Sequence, residues 1–442
     1  MSIKGQPSSL AERVEIGERW KAGQSDTEIA LGLGRPIATI RKWRRRNQHQ
    51  GRTGLSSKMG RPATGALGHY PEKVSREISR MRNAHPGWGP LTILAELEKE
   101  AGLAGQRLPS RCRVAAYLKQ KGWVKKHERH HDLPEPRNRT IERPHQEWEV
   151  DAQGKIAIGG LGNASIINIL DVFSHLKIDS LPCLRTTHAN TQDYQLVLRR
   201  AFVHYGLPEQ ISFDHDSVFY DNQTASPFPT SLHLWLIGLG IEVRFIHQAP
   251  PMEHARIERS HQTITQQAVI GQTFTTVADL QKMLTSRILF LNMDYPSCSL
   301  QGQPALTAYP QAKQTPRPYR LECEQEYLEM QPIYDYLAKG RWFRLTSSVG
   351  MFSLGSQRYN AGMRFVRQTL ELTFDPLRCE FLCLPEKATQ PIRFAARGLT
   401  KKVLMGELDP LSSIPAYQLA LPFSRQAWRE VMLCQDPGDT TL

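Results

Sequence analysis

The sequence predicts a multidomain chain: an all-α N-terminal portion, a central α/β layer and a small C-terminal β-barrel. Three observations predict it. The net charge of +13 is confined to the first third of the 442 residues, where residues 1–140 carry 28 Lys and Arg against 13 Asp and Glu, and the remainder 28 against 30. The apolar spacing is helical up to about residue 126 and changes after Pro144 to short Ile-, Val- and Leu-rich runs alternating with helices. From about Gly340, apolar and polar residues alternate across Gly-marked turns.

Hydrophobic content of 40% and charged content of 22% are those of an ordinary soluble globular chain. No apolar run is long enough to span a bilayer, and MSIKGQPSSLAERVE has no secretory h-region. Seven scattered cysteines imply reduced thiols and a cytoplasmic setting. Cys379 and Cys383 in CEFLC share one face of a strand and read as core packing, since no second pair completes a zinc site.

Residues 8–48 read as three short helices. Ser25 and Glu28 make a capping box, and Pro36 opens PIATIRKWRRRN as a first helical residue. Ile37, Ile40 and Trp43 share a face, leaving Arg41, Lys42, Arg44, Arg45 and Arg46 on the others. A short helix, a Gly turn and a basic helix make the helix-turn-helix arrangement, which points to double-stranded DNA. The plainer reading is a three-helix bundle with a solvated charged face, but that does not explain the charge segregation. Residues 49–70 form a Gly-, Ser- and Thr-rich linker, in which KMGRP is similar to part of an AT-hook, with Arg61 as the minor-groove residue. A plain flexible linker reads equally well.

A second helical DNA-binding unit covers 71–128, marked by HPGWGPLTILAELEKE and LPSRCRVAAYLKQKGW, with Ser110 as N-cap and Arg111 and Arg113 on the basic last helix. Residues 129–144 are a Pro- and charge-rich connector. His127, His130 and His131 lack the paired cysteines of a zinc module.

Residues 145–310 give three strands, a helix, then alternating strands and helices. Asp151 lies on the first strand, Asp214 ends the fourth, and Glu258 lies on the helix after the fifth. Acids far apart in sequence converge where strands end. Hard oxygen ligands without a competing thiol suit Mg²⁺ or Mn²⁺, and two such ions serve phosphodiester chemistry. The plainer reading of Asp214-His215-Asp216 is a polar turn.

In WEVDAQG, ILDVFSH, SFDHDSVF and APPMEHARIERSHQTI this region resembles the DDE group of bacterial insertion-sequence transposases. Their catalytic core is retroviral-integrase-like, with a ribonuclease H-like fold. The likeness extends over roughly residues 10–310 and includes the upstream helical unit. It implies Asp151, Asp214 and Glu258 as catalytic, metal-binding triad, with Asp171 and Ser174 structural. Arg256 and Arg259 read as backbone-phosphate contacts or, equally, as a solvated helix face. Two departures stand out: His215-Asp216 and His254-Ala255 occupy positions usually Asn-Gly. The stretch DNQTASPFPTS is an insertion, and Glu253 rivals Glu258 as third ligand.

Residues 335–405 read as the β-barrel, binding DNA or another subunit, and 406–442 as a tail with a helix at AWREVMLC. The resemblance implies a nucleoid-associated bacterial enzyme that nicks element ends and joins them to target DNA. It implies an oligomer on DNA, with an accessory ATPase left open. The rivals are a DNA-binding regulator with a silent core and a metal-dependent nuclease without strand transfer.

Overall fold

The computed structural model describes residues 8–56, 65–124, 141–183, 189–222, 224–246, 255–383 and 391–406. The chain divides into two compact units, Met1–His69 and Tyr70–Leu442.

The first unit packs α1 (Leu10–Lys21), α2 (Asp26–Leu33) and α3 (Ile37–Gln50) around Ile16, Ile29, Ile40, Trp43 and Leu55. Capping boxes at Ser9/Glu12 and Ser25/Glu28 satisfy the first amides of α1 and α2. Gly34 ends α2 in the left-handed region (φ 59°), where a Cβ is strained. At Gly17 the neighbouring helix is the constraint, since a Cβ there would lie 2.0 Å from the Asn47 amide nitrogen on α3. Pro36 sits one residue before α3 as its N-cap, with extended ψ of 137°, rather than at the first helical position. Of the apolar face read on α3, Ile40 and Trp43 are buried and Ile37 stays exposed.

The second unit begins with α4 (Glu72–Ala84), α5 (Pro90–Lys99) and α6 (Arg111–Gln120). Ser110 is the N-cap of α6, but its side chain makes no capping bond. A mixed five-stranded sheet follows, in the order β3-β2-β1-β4-β5. Strands β1 (Glu147–Ile158), β2 (Gly162–Asp171) and β3 (Lys177–Cys183) form an antiparallel meander. Helix α7 (Thr191–Tyr205) crosses over to β4 (Gln210–Phe213), and α8 (Ser231–Gly238) leads to β5 (Glu242–Phe245). Both β4 and β5 run parallel to β1. Helix α9 (Ala255–Ile264) continues as a π-turn over Thr265–Val269, and α10 (Val277–Met293) packs on β3. Trp148 and Val150 of β1 point into the core with Val197, Ala201 and Phe202 of α7. The period of two therefore sends Glu147, Glu149 and Asp151 to the opposite face.

Short helices α11 (Ala305–Ala308), α12 (Glu324–Tyr327) and α13 (Gln331–Ala338) lead to the C-terminal strands. These are β6 (Trp342–Leu345), β7 (Met351–Leu354), β8 (Gln357–Asn360), β9 (Thr369–Asp375), β10 (Glu380–Cys383) and β11 (Ile392–Ala395), before α14 (Lys401–Met405). Here the sequence expectation of a closed barrel needs correction. Among the described residues these strands make a four-stranded antiparallel sheet, β11-β10-β9-β6, and a separate β7–β8 hairpin. The expected insertion explains one open edge. Ser226 Oγ accepts from Phe343 N at 2.6 Å and donates to Phe343 O at 3.2 Å, so the outer edge of β6 is met by a side chain instead of a strand. Phe228 from the same segment packs on Trp342 and Phe381, with ring centroids 4.9 and 5.8 Å apart.

Candidate functional site

Parallel pairing of β1 with β4 matches Glu147 to Gln210, Trp148 to Ile211 and Glu149 to Ser212. Asp214 follows the end of β4, two residues past the last of these pairs, as Asp151 lies two residues past it on β1. On the other side of β1, Asp151 faces Asn168 of β2, which in turn faces Ser180 of β3. A polar row thus crosses three strands: Ser180, Asn168 and Asp151. Ser180 Oγ donates to Asn168 Oδ1 at 2.5 Å within this row.

Asp214 also closes a turn. Its Oδ1 accepts the Asp216 N–H at 3.1 Å, while Asp216 Oδ1 accepts from Val218 N at 3.2 Å. The polar-turn reading of this pair is therefore correct. Asp151 Oδ1 accepts the Ala152 N–H at 2.8 Å.

Helix α9 packs against β1 and β2. Its inner face is Ile257, Ser260, His261 and Ile264, all buried. His261 Nδ1 lies 3.8 Å from Asp151 Oδ2. Glu258 stands three residues before His261, a neighbour on the helix surface, and is exposed. The three carboxylates are not gathered into a ready site: among the described residues no group of three His, Cys, Asp or Glu could hold a metal ion. Carboxylate oxygens with no competing thiol are nonetheless the donor type that a hard divalent ion takes. Glu253 and His254 lie outside the described residues.

Residues that the sequence did not single out surround these acids. Tyr194 of α7 is buried, stacked edge-on against Phe219 with centroids 4.5 Å apart. Burial, then the negative charges of Asp151, Asp216 and Asp214, push its phenol well above the usual range, so it stays an O–H donor. Glu147 and Glu149 are buried on the same sheet face as Asp151. Glu147 accepts from the Ser212 hydroxyl and has Arg244 at 3.8 Å. Burial lowers Lys177 to about 8, against the opposing pull of Glu149. The acid spacing in EWEVD was visible as period-two alternation; the approach of Tyr194 had no local signal.

Asp171 is buried and takes the structural part expected of it. It accepts from His145 N at 2.6 Å, Ser174 N at 2.8 Å and Ser174 Oγ at 2.5 Å, closing the β2–β3 turn.

The basic residues fall into two groups. Arg41, Lys42 and Arg45 are exposed on α3, whereas Arg44 reaches Asp26 at 3.2 Å and lies 5.7 Å from the Trp20 ring centroid. Arg41 also approaches Asp26, at 3.6 Å, and Arg46 lies 5.1 Å from the Trp43 ring centroid. Arg111 is exposed, and Arg113 lies half-buried 5.7 Å from the Tyr70 ring centroid. Arg256 and Arg259 are exposed on α9. Arg61, the KMGRP stretch, His127, His130, His131 and AWREVMLC lie outside the described residues. No helix among the described residues is long and apolar enough to cross a membrane.

The mixed sheet with its flanking helices makes the second unit an α/β layer, with Asp151 on β1, Asp214 just past the end of β4 and Glu258 exposed on α9. No protein-family model matches the chain. Among solved structures it is similar to a simian T-cell lymphotropic virus intasome in complex with the PP2A regulatory subunit B56 gamma. That match has 12% identity and a TM-score of 0.33, covering 69% of this chain and 96% of the other. It is also similar to the catalytic core domain of BIV integrase, at 13% identity and TM-score 0.28, covering 38% of this chain and 95% of that one. A third similarity is to the HTLV-2 integrase catalytic core domain in complex with magnesium, at 14% identity and TM-score 0.28, covering 38% and 98%.

Proposed function

We propose that the chain is a DNA transposase or integrase that nicks the 3′ ends of a mobile element and joins them to target DNA. The observation that carries this reading is the parallel β1–β4 register, whose last pair, Glu149 with Ser212, lies two residues before Asp151 and Asp214. Helix α9, which packs on β1 and β2, carries Glu258 three residues before His261. In this reading Asp151, Asp214 and Glu258 would hold two Mg²⁺ or Mn²⁺ ions, which would supply activation of the attacking oxygen and stabilisation of the leaving one. The carboxylates fix the ions, and Arg256 and Arg259 hold the DNA backbone beside them. The exposed Arg41, Lys42 and Arg45 of α3, with Arg111 of α6, bind element ends, mainly through phosphates. Joining two ends requires two active sites, so the working form is an oligomer on DNA.

A regulator with a silent core is the second reading. It is favoured by the engagement of Asp214 in its own turn and by the lack of a gathered three-carboxylate group among the described residues. Nicking and strand-transfer assays with Mg²⁺ or Mn²⁺ on the inverted repeats flanking the gene decide between them. The enzyme reading expects metal-dependent products that disappear in Asp214→Asn and Glu258→Gln; a wild type inert on its own ends would leave the regulator. Products from Glu258→Gln but not Glu253→Gln would move the third ligand to Glu253.

A further inference from the structure

At the end of β5 a cluster of rings borders the turn that follows β4. Parallel pairing sets Phe245, the last residue of β5, against Phe213, the residue before Asp214. Between ring centroids, Phe245 lies 5.8 Å from His215, 5.3 Å from Tyr220 and 5.2 Å from His233 of α8. Tyr220 stands edge-on to His215 at 5.0 Å, and Tyr336 of α13 stands edge-on to His233 at 5.2 Å. His215, Tyr220 and Phe245 are half-buried, Tyr336 is exposed, and His233 alone of the five is buried.

Rings that only fill a core need no polar atoms, yet four of these five carry them. The His233 backbone N–H donates to Thr230 Oγ1 at 3.3 Å, but its imidazole makes no hydrogen bond to any described residue. Burial lowers that imidazole to about 4, so near neutral pH it is uncharged, with one ring nitrogen donating and the other accepting. Burial, then the Tyr220 phenol, raises the Tyr336 hydroxyl above its ordinary range, so it stays an O–H donor. Acids adjoin the cluster: Asp214 and Asp216 flank His215, Asp221 follows Tyr220 and Asp335 precedes Tyr336, against one lysine, Lys339, on the next turn of chain. That balance disfavours a phosphate and leaves a neutral planar group as the better match. A nucleobase is such a group, with a π face to stack and an edge of donors and acceptors.

We propose that this cluster is a nucleobase subsite: an unpaired base at the end of the bound DNA stacks against Tyr220 and Tyr336, and the His233 imidazole meets its hydrogen-bonding edge. The inference rests on the DNA substrate proposed above, and on no bound metal ion; it adds that the favoured substrate is an end whose terminal bases are unpaired. The full-length chain is titrated in EDTA, by fluorescence anisotropy, with two labelled duplexes that end in the inverted repeat flanking the gene. One is fully paired and the other has its terminal bases mismatched. Tyr220→Ala and Tyr336→Ala remove the rings; Tyr220→Phe and Tyr336→Phe keep them. Tyr336 is exposed on α13, so its truncation opens no core.

The wild type is expected to bind the mismatched end roughly tenfold more tightly than the paired one, within the range that a base stacked on an aromatic side chain contributes. Each Ala variant should lose most of that preference, each Phe variant should keep it, and affinity for the paired end should stay that of the wild type. Equal wild-type affinity for the two ends overturns the subsite and leaves the cluster to another occupant. A preference undiminished in both Ala variants, or lost as fully in the Phe variants, overturns it too. If the wild type binds neither end, the DNA reading itself fails, and the subsite with it.

Discussion

Asp214 Oδ1 accepts the Asp216 N–H and so shapes the exit from β4, two residues past its last pair with β1. The asymmetry between Asp214 and Asp216 was legible in the sequence, because only Asp214 falls at the strand end. What was not legible is how close Tyr194 comes, since that depends on how α7 packs on the sheet. Buried histidines give a residue-scale prediction. His233 packs between Phe245 and Tyr336, and burial lowers its pKa to about 4, as it does for His175 and His204. Unfolded histidine titrates near 6.5, so between about pH 6.5 and pH 4 the unfolded chain binds more protons. The stability these groups contribute is present above about pH 6.5 and is lost as pH falls towards 4. Urea unfolding across that range should show the loss, with a shallower slope in His233→Phe; equal slopes would exclude His233 as a source.

Among the elements, α7, α8 and the segment leading into α12 meet at a buried carboxylate. Glu324 takes two bonds of 2.7 Å from Arg199, one of 2.8 Å from Trp235 Nε1 and one of 2.5 Å from Tyr319. Glu324→Gln leaves the Arg199 charge buried and unmatched, a change expected to cost about 3–5 kcal/mol. Chemical unfolding would measure it, and a loss below about 1 kcal/mol would mean that the pair is solvated in solution. The elements of the α/β layer were readable because Ile- and Val-rich runs and capping boxes mark strands and helix starts locally. The C-terminal strands were readable one by one, but their assembly was not. Alternation reports which face of a strand is buried; it does not report which edge finds a partner. The edge of β6 is met by Ser226, more than a hundred residues earlier in the chain, and no period in the sequence encodes that.

For the whole molecule, the segregation of charge into residues 1–140 is what the proposed function needs, with DNA capture in the basic third and chemistry in the near-neutral remainder. Exposed Arg41, Lys42 and Arg45 should each neutralise a DNA phosphate. Replacing all three by Ala should flatten the salt dependence of DNA binding by about 0.9 in log–log slope for each phosphate no longer neutralised. Binding measured over a salt series tests this, and an unchanged slope would remove α3 from the interface. Under the proposed function, Asp151 and Asp214, with Glu258 from α9, would make a metal-dependent DNA-joining centre. Its most direct test is a strand-transfer assay with wild-type protein and Asp214→Asn on DNA ending in the inverted repeats that flank the gene, with Mg²⁺ or Mn²⁺ and with EDTA. The account predicts joined product only with wild-type protein and metal ion. Joined product of equal yield from Asp214→Asn, or from wild type in EDTA, would contradict it.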